Sequence, residues 1–508
     1  MLTRLKVSGF KNLVDIDVAF GPFTCIAGPN GVGKSNLLDA LRFLSLLADR
    51  TLIDAALHVR GESERLEDAE SLFNQVGAGR TDRMTFEAEM LIPLEGLDDL
   101  GQSAKASATF LRYRLDLGLR HKAEVAVGPF ELLREELVSV PLKEATASLR
   151  FPGIVPRWRT SVLRAKERSR VFIATAGAGA SRAVELHPEG NVNAPPVSRI
   201  ATNLPRTVIS VTDATTSPTA FLARSEMRSW QVLHLEPAAL RRPDETAPTR
   251  VLGTDGSHLP TALYRLVQFQ TRDAPNEHGR RALEAQVYAE VANRLAALVD
   301  DIRSVSVVRD EERRLLTLYV TDRTGASFPA RALSDGSLRF LAMVILSLAP
   351  DGNRVLCLEE PENGIAPERI PALLRLLRAT AVDTTQRADS DNPMRQVIVT
   401  THSPSVVALT PDDSLLIAER RFMLTENGRS QGVSFCALPG TWRQHTGSEG
   451  STAPLGSLIP YLSAAGSQPD DEENGAGDHA IGPIKTGAAR VVDREDVRRL
   501  RLVALSRE

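Results

Sequence analysis

Residues 2–20, LTRLKVSGFKNLVDIDVAF, alternate apolar and polar positions with a turn near Gly9–Asn12, so an N-terminal β-hairpin is predicted. The uninterrupted apolar run Phe23–Ala27 then predicts a buried strand, and Leu37, Leu38, Leu41 and Leu44 mark the core face of a helix directly after it. Between residues 84 and 150 the runs MTFEAEMLI, ATFLRYRLDLGL and AEVAVGPFELLREELVSV, separated by turn residues, predict an antiparallel sheet with one wet face. Leu283, Val287, Val291, Leu295 and Leu298 recur at spacings of four and three, which gives one amphipathic helix. No long heptad tract accompanies it, which argues against an extended coiled-coil arm. Further on, SVSVVRDEERRLLTLYVTDRTGASF reads as paired hairpin strands. In ARALSDGSLRFLAMVILSLAP, Leu338, Leu341, Ile345 and Leu348 line one helical face. Val355–Leu358 and Val397–Val399 are short apolar strands.

Between these elements the composition shifts. Residues 49–80 are polar and charged, with GAGR at 77–80 as a break; Gln75 lies here, a loop glutamine by default and a water- or metal-positioning one as the alternative. Residues 190–256 are rich in Pro, Thr, Ala and Arg, with SWQVLHLEP as one ordered run and RRPDETAPTRVLGTDG as a linker-like stretch. After about residue 462 the segment SAAGSQPDDEENGAGDHAIGPIKTGAA is poor in apolar residues and predicts disorder, followed by a short helix in DREDVRRLRLVALS.

Chemistry concentrates at four places. Gly28, Gly33, Lys34 and Ser35 fit G-x-x-x-x-G-K-S between a predicted strand and helix, a pattern in which backbone N–H groups converge on phosphate oxygens. Lys34 would reach the β- and γ-phosphates, Ser35 would hold Mg²⁺, and the helix opening at Asn36 adds its partial positive charge. Ser334, Asp335, Gly336 and Ser337 open a second helix, read as an N-cap or as an anion site. In RVLCLEEPEN a buried strand ends in Glu359 and Glu360, an arrangement suited to metal coordination by the first and water activation by the second. His402 follows the strand in RQVIVTTHSP, where it could bond a γ-phosphate or an attacking water.

Composition limits the partners. The 508 residues are 42% hydrophobic with a formal net charge of −3, enough for two or three domains and without global attraction to nucleic acid or anionic lipid. The densest basic cluster, Arg157, Arg159, Arg164, Lys166, Arg168 and Arg170 around Trp158, reads either as a solvated surface or as a phosphate-neutralising patch whose tryptophan stacks on a base. Three dispersed cysteines, Cys25, Cys357 and Cys436, look like core thiols. No secretory apolar segment or membrane-length apolar run is visible, so a reducing cytoplasm is the expectation.

The ordered set GPNGVGKS, LSDGS, LCLEEPEN and TTHSP resembles the ABC-type ATPase heads of the SMC, RecF and OLD lineage, especially stand-alone bacterial AAA-type ATPases of that group. GFKNL at the start and TDGSHLPTALYRL at 254–266 resemble it too. The resemblance implies an α/β P-loop NTPase fold, an ABC-type head with a mixed sheet and N-terminal antiparallel strands, split by a large inserted α+β lobe. About 325 residues separate Lys34 from Glu360, far more than in helicase-like or GTPase P-loop domains. The implied division is 1–85 for the first half of the head, 86–250 for the lobe, 251–425 for the second half and 426–508 for a partly disordered extension.

By the same resemblance Asn30, Gly31, Gly33, Lys34, Ser35 and Asn36 bind ATP and Lys11 contacts its phosphates. Ser35 and Glu359 hold Mg²⁺, Glu360 is the catalytic base and His402 the switch histidine. Ser334 and Gly336 form the signature that meets the γ-phosphate of a partner head, with Glu362 and Asn363 in the D-loop. The signature reads SDGS where transporter ATPases have SGGQ, and Glu359 stands where aspartate is usual. The implied protein is an ATP-dependent homodimer acting on DNA, or through a separate effector or nuclease, in genome maintenance or antiviral defence. OLD nucleases carry a C-terminal nuclease unit that this sequence does not display, so cutting of DNA by this chain alone is not expected. The alternatives are a transporter ATPase subunit, disfavoured by the inserted lobe and the absence of an obvious membrane-coupling segment, and an ATP-dependent scaffold, disfavoured by Glu360 and His402.

Overall fold

The computed structural model describes residues 1–60, 66–77, 79–120, 128–189, 194–246, 252–349, 355–425, 428–445, 452–463 and 490–497. The low-complexity segment from 464 to 489 and most of the helix expected in DREDVRRLRLVALS lie outside the described residues. The chain divides into two compact units, the first of Met1–Gln231, Val382–Gln396 and Asp412–Pro454, the second of Val232–Ala381, Val397–Pro411 and Leu455–Glu508. Among the described residues no helix is long and apolar enough to cross a membrane.

The first unit is built on an eight-stranded antiparallel sheet. In spatial order its strands are Val197–Ile200, Ala183–Leu186, Val171–Ala176, Phe130–Ser139, Phe110–Leu119, Arg83–Leu91, Leu2–Ser8 and Ile16–Ala19. The alternation read at residues 2–20 is thus the hairpin Leu2–Ser8/Ile16–Ala19, in register Leu5 to Val18 and Val7 to Ile16. Cross-strand ion pairs order the polar face: Lys6 with Glu87, Arg112 with Glu89, and Arg83 with the fully buried Asp116. On the apolar side Phe86 packs against Phe10 and Phe43, with ring centroids 5.5 and 5.8 Å apart. Phe43 belongs to the helix Lys34–Leu47, so this aromatic cluster seats that helix on the sheet.

The strand Phe23–Ala27, buried along its whole length, pairs in parallel with Leu415–Thr425, which returns antiparallel as Gly428–Ala437. Beyond these strands Arg443 is buried; its guanidinium donates to the Ala19 carbonyl at 2.9 Å and to the Thr24 hydroxyl at 3.0 Å. Burial pulls its pKa down to about 9. A second internal clasp joins the sheet to the helix Lys34–Leu47. The buried Glu135 carboxylate accepts the N–H groups of Val208 and Ile209 at 2.6 and 2.8 Å, and desolvation pushes its pKa up to about 7. Thr207, next in that segment, donates its hydroxyl to the Leu47 carbonyl at the helix C-terminus, and Arg224 donates to the following carbonyl of Ala48.

In the second unit Val355–Glu359 lies between Trp230–Leu233 and Gln396–Thr401 in sheet order. A smaller antiparallel sheet carries Leu315–Asp322 between Asp244–Glu245 and Ile302–Asp310, with Ser327–Pro329 also on Leu315–Asp322. The helix predicted from the spacing of Leu283 to Leu298 runs Glu277–Ala296; Asn276 caps it by accepting from the Gly279 N–H, and Val287, Val291 and Leu295 are buried. All three cysteines are buried, and none is in a disulfide.

The structure corrects the reading of Trp158 as a base-stacking side chain. Pro156 starts a short helix, Pro156–Val162, that turns Trp158 inward, where it is fully buried with Phe110, Val140, Phe151 and Val382. Around it Arg157 donates to the Thr385 carbonyl at 3.0 Å and Arg170 lies over the Phe172 ring, while Arg164, Lys166 and Arg168 are exposed. Charge-run reasoning treats the segment as one surface, but the single large apolar residue has more to gain from burial than from solvent. Trp158→Ala is therefore expected to lower unfolding stability by about 3–5 kcal/mol, and Arg164→Ala by no more than about 0.5 kcal/mol, as read by urea denaturation.

Candidate functional site

The phosphate-loop residues belong to the first unit. After the strand Phe23–Ala27 the chain turns through Gly28–Gly33 and enters the helix at Lys34. Gly33 has φ of 120°, and a Cβ there would stand 2.4 Å from the Asn12 side-chain amide, so both backbone conformation and space demand glycine. Lys34 is buried and its ammonium donates to the carbonyls of Gly28 at 2.7 Å and Pro29 at 3.1 Å, which curls the loop around a single cation. Asn30 and Gly31 are exposed at the loop tip, and Ser35 and Asn36 are half-buried in the first helical turn.

Asn12, which the sequence marks only as the end of a turn, organises this loop. Its amide donates to the Val32 carbonyl at 3.0 Å and accepts from Asn36 at 2.7 Å, so one side chain bridges the loop and the first helical turn. Lys11, with φ of 48°, sends its ammonium to Asp39 at 2.6 Å, and Arg60 reaches the same carboxylate oxygen at 2.7 Å. Burial lowers the Lys11 pKa and raises that of Asp39, against their mutual attraction. The Lys11 ammonium is thus poised beside the loop helix on a carboxylate that it shares with a second cation. The buried Asn74 braces the turn by donating to the Lys11 carbonyl and accepting from Ser430. Gln75 follows Asn74 and is exposed in the two-residue strand Gln75–Val76.

The acidic and histidine motifs belong to the second unit. Glu359 ends the strand Val355–Glu359, and Glu360 turns the chain with φ of 46°, held by its N–H to the Thr400 carbonyl at 3.0 Å. One oxygen of the Glu360 carboxylate lies 2.9 Å from His402 Nδ1, and the other accepts from the Asn363 amide at 2.9 Å. These three residues, far apart in sequence or on different elements, are therefore one hydrogen-bonded group. Glu362 is instead buried and takes the Thr401 hydroxyl; desolvation raises its pKa, which makes it a brace of the turn. A second unpredicted residue is His234, whose Nδ1 lies 3.5 Å from a Glu359 oxygen; that contact raises the histidine pKa. SWQVLHLEP marks an ordered run, but nothing local in it points to a carboxylate more than a hundred positions away.

Ser334 is the N-cap of the helix Asp335–Leu348, accepting from the Ser337 N–H at 3.2 Å. A Cβ on Gly336 would stand 2.1 Å from the Gly364 carbonyl oxygen, so the helix start and the turn after Glu360 touch backbone to backbone. Among the described residues no group of three or more His, Cys, Asp or Glu side chains could hold a metal ion by itself.

The protein-family model described as "AAA domain, putative AbiEii toxin, Type IV TA system" matches residues 23–117 and 203–408. These stretches make up more than half of the chain, which belongs to this family. It is an SMC/RecF/OLD-like ATPase, with a mixed α/β P-loop fold and an antiparallel sheet. The OLD nuclease of Thermus scotoductus is 54% identical over 41 residues, 8% of this chain and 8% of that protein. The DNA replication and repair protein RecF of Phocaeicola vulgatus is 37% identical over 65 residues, 13% of this chain and 18% of that protein. The chain thus matches less than a fifth of either relative's length. A solved structure, "Crystal structure of the SmcHead bound to the C-winged helix domain of ScpA", aligns over 86% of this chain and 98% of that chain at 12% identity, with a TM-score of 0.41.

Gly33→Ala is expected to abolish nucleotide binding, read as loss of fluorescent-ATP anisotropy change, because the added methyl group must displace Asn12 from the loop. Asn12→Ala, which leaves the backbone unstrained, is expected to weaken binding without abolishing it.

Proposed function

We propose that the protein binds ATP with Mg²⁺ and hydrolyses it, that ATP joins two copies, and that hydrolysis releases them. The phosphate loop of the first unit and the carboxylates of the second serve the same nucleotide in this reading. It is supported by a single family model that takes in both stretches of sequence. Gly33 at positive φ, the buried Lys34 and the 14-residue helix behind them suit a phosphate group: backbone N–H donors, one fixed cation and a helix N-terminus. Ser35 and Glu359 are hard oxygen donors of the kind Mg²⁺ accepts, with phosphate and water completing its shell. Bound Mg²⁺ would neutralise charge on the transferring phosphoryl group.

The observation that carries the hydrolytic reading is the Glu360 carboxylate held between His402 and Asn363. Two hydrogen bonds fix its orientation, while 23% side-chain exposure leaves it accessible to a water. His402 can hold a proton at Nδ1 toward Glu360 and present Nε2 to a phosphate oxygen. Ser334 and Gly336, at a capped helix N-terminus, are the groups that meet the nucleotide of a second copy. Such a nucleotide-gated dimer would act as a switch on DNA or on a separate effector or nuclease, in genome maintenance or antiviral defence. The short matches to RecF and OLD nuclease sequences favour that setting.

Glu360→Gln keeps the Asn363 bond acceptor but removes the base. Turnover is expected to fall by about 10²-fold or more, while ATP-dependent dimers accumulate in multi-angle light scattering. Stimulation of the wild type by duplex DNA would favour the nucleic-acid arm; indifference to it would favour a protein effector.

A further inference from the structure

The segment His234–Arg241, none of whose residues belongs to the motifs read from sequence, touches two of them inside the second unit. His234 faces Glu359 at 3.5 Å. The Leu235 carbonyl accepts Nε of Arg339 at 2.9 Å; Arg339 lies in the helix that Ser334 caps, and its other arm donates to the Asn363 carbonyl. Arg241 donates to the Leu333 carbonyl at 3.0 Å and pairs with Asp335, thereby gripping both sides of Ser334.

The segment is itself well anchored. The N–H groups of His234 and Glu236 donate to the carbonyls of Thr254 and Asp255 at 2.8 and 2.7 Å. Leu235 and Leu240 are buried, and both lie against Gly256, where a Cβ would stand 2.7 Å from Leu240. Arg339 forks between two acceptors through Nε and Nη1, which fixes direction as well as distance, while Arg241 holds both of its acceptors through the single nitrogen Nη2.

We propose that Arg241 and Arg339 are positioning residues, and that the strap His234–Arg241 makes the signature turn and the Glu359–Asn363 turn move as one body. Ser334 and Gly336 then reach a second copy's nucleotide only when the hydrolytic carboxylate of their own copy is in place. The proposal rests on the ATPase reading above. It adds a coupling within one chain, carried by Arg339 between Leu235 and Asn363 and by Arg241 between Leu333 and Asp335.

The test uses the full chain carrying Arg241→Ala, with fluorescent-ATP affinity, steady-state kinetics, and ATP-dependent dimerisation in the Glu360→Gln background. Nucleotide affinity should stay within about twofold, since the phosphate-loop residues are untouched, while kcat and the dimer fraction fall about tenfold or more. Arg241→Lys, which keeps a charge opposite Asp335 but has a shorter reach than the guanidinium to the Leu333 carbonyl and Asp335 together, should recover an intermediate dimer fraction. If Arg241→Ala does not fold, Asp335→Asn breaks the same ion pair with little change of shape and should give the same split between affinity and kcat. Unchanged kcat and dimerisation in the folded variant would overturn the coupling. A wild-type chain that neither binds nor hydrolyses ATP would instead overturn the ATPase reading.

Discussion

Glu360 has to satisfy two demands at once: a backbone in the left-handed region and a carboxylate bonded on both oxygens. A non-glycine residue at φ of 46° carries strain, of order 1–3 kcal/mol, that persists only where its surroundings fix it. Here the N–H bond to the Thr400 carbonyl fixes the backbone, and His402 and Asn363 fix the side chain. The buried Glu362, bonded to Thr401, pins the next turn of chain. Strain placed after the apolar run Val355–Leu358 aims a carboxylate in one direction, the geometry that the proposed activation of a single water would use.

The phosphate loop depends on the same economy of means. Its glycine at positive φ permits the turn, but Asn12 makes the turn specific by bonding to both the Val32 carbonyl and Asn36. The helix behind the loop is held from its other end by Thr207 and Arg224, in a segment that the buried Glu135 clasps to the large sheet. The large sheet and the helix Lys34–Leu47 are therefore joined by hydrogen bonds to helix-end carbonyls, groups that otherwise have no partner within the helix.

Much of this arrangement was legible in the chain because its signals are local. The strand, glycine turn and helix at residues 23–48 follow from adjacent residues, as does the Ser334 cap three positions before Ser337. The tips bearing Glu360 and His402 were also visible, each as a short apolar run ending in polar residues. What remained hidden depends on pairing between distant segments. Asn12 reads as a turn residue, His234 as the end of an ordered run, and Arg241 as one arginine among many, until strand order brings their partners to them. Trp158 shows the opposite failure: the charges around it suggested a surface, and only the packing of Phe110, Phe151 and Val382 reveals that the ring is core.

In the proposed function one magnesium nucleotide is gripped by the loop at Lys34 and attacked by a water that Glu360 activates. A crystal structure of Glu360→Gln with Mg-ATP tests it most directly. The expected result is a single nucleotide with Lys34 on its β- and γ-phosphates, Ser35 and Glu359 on the metal, and residue 360 and His402 beside the γ-phosphate. A nucleotide seated on the loop with Glu359, residue 360 and His402 out of reach of its phosphates and metal would contradict it.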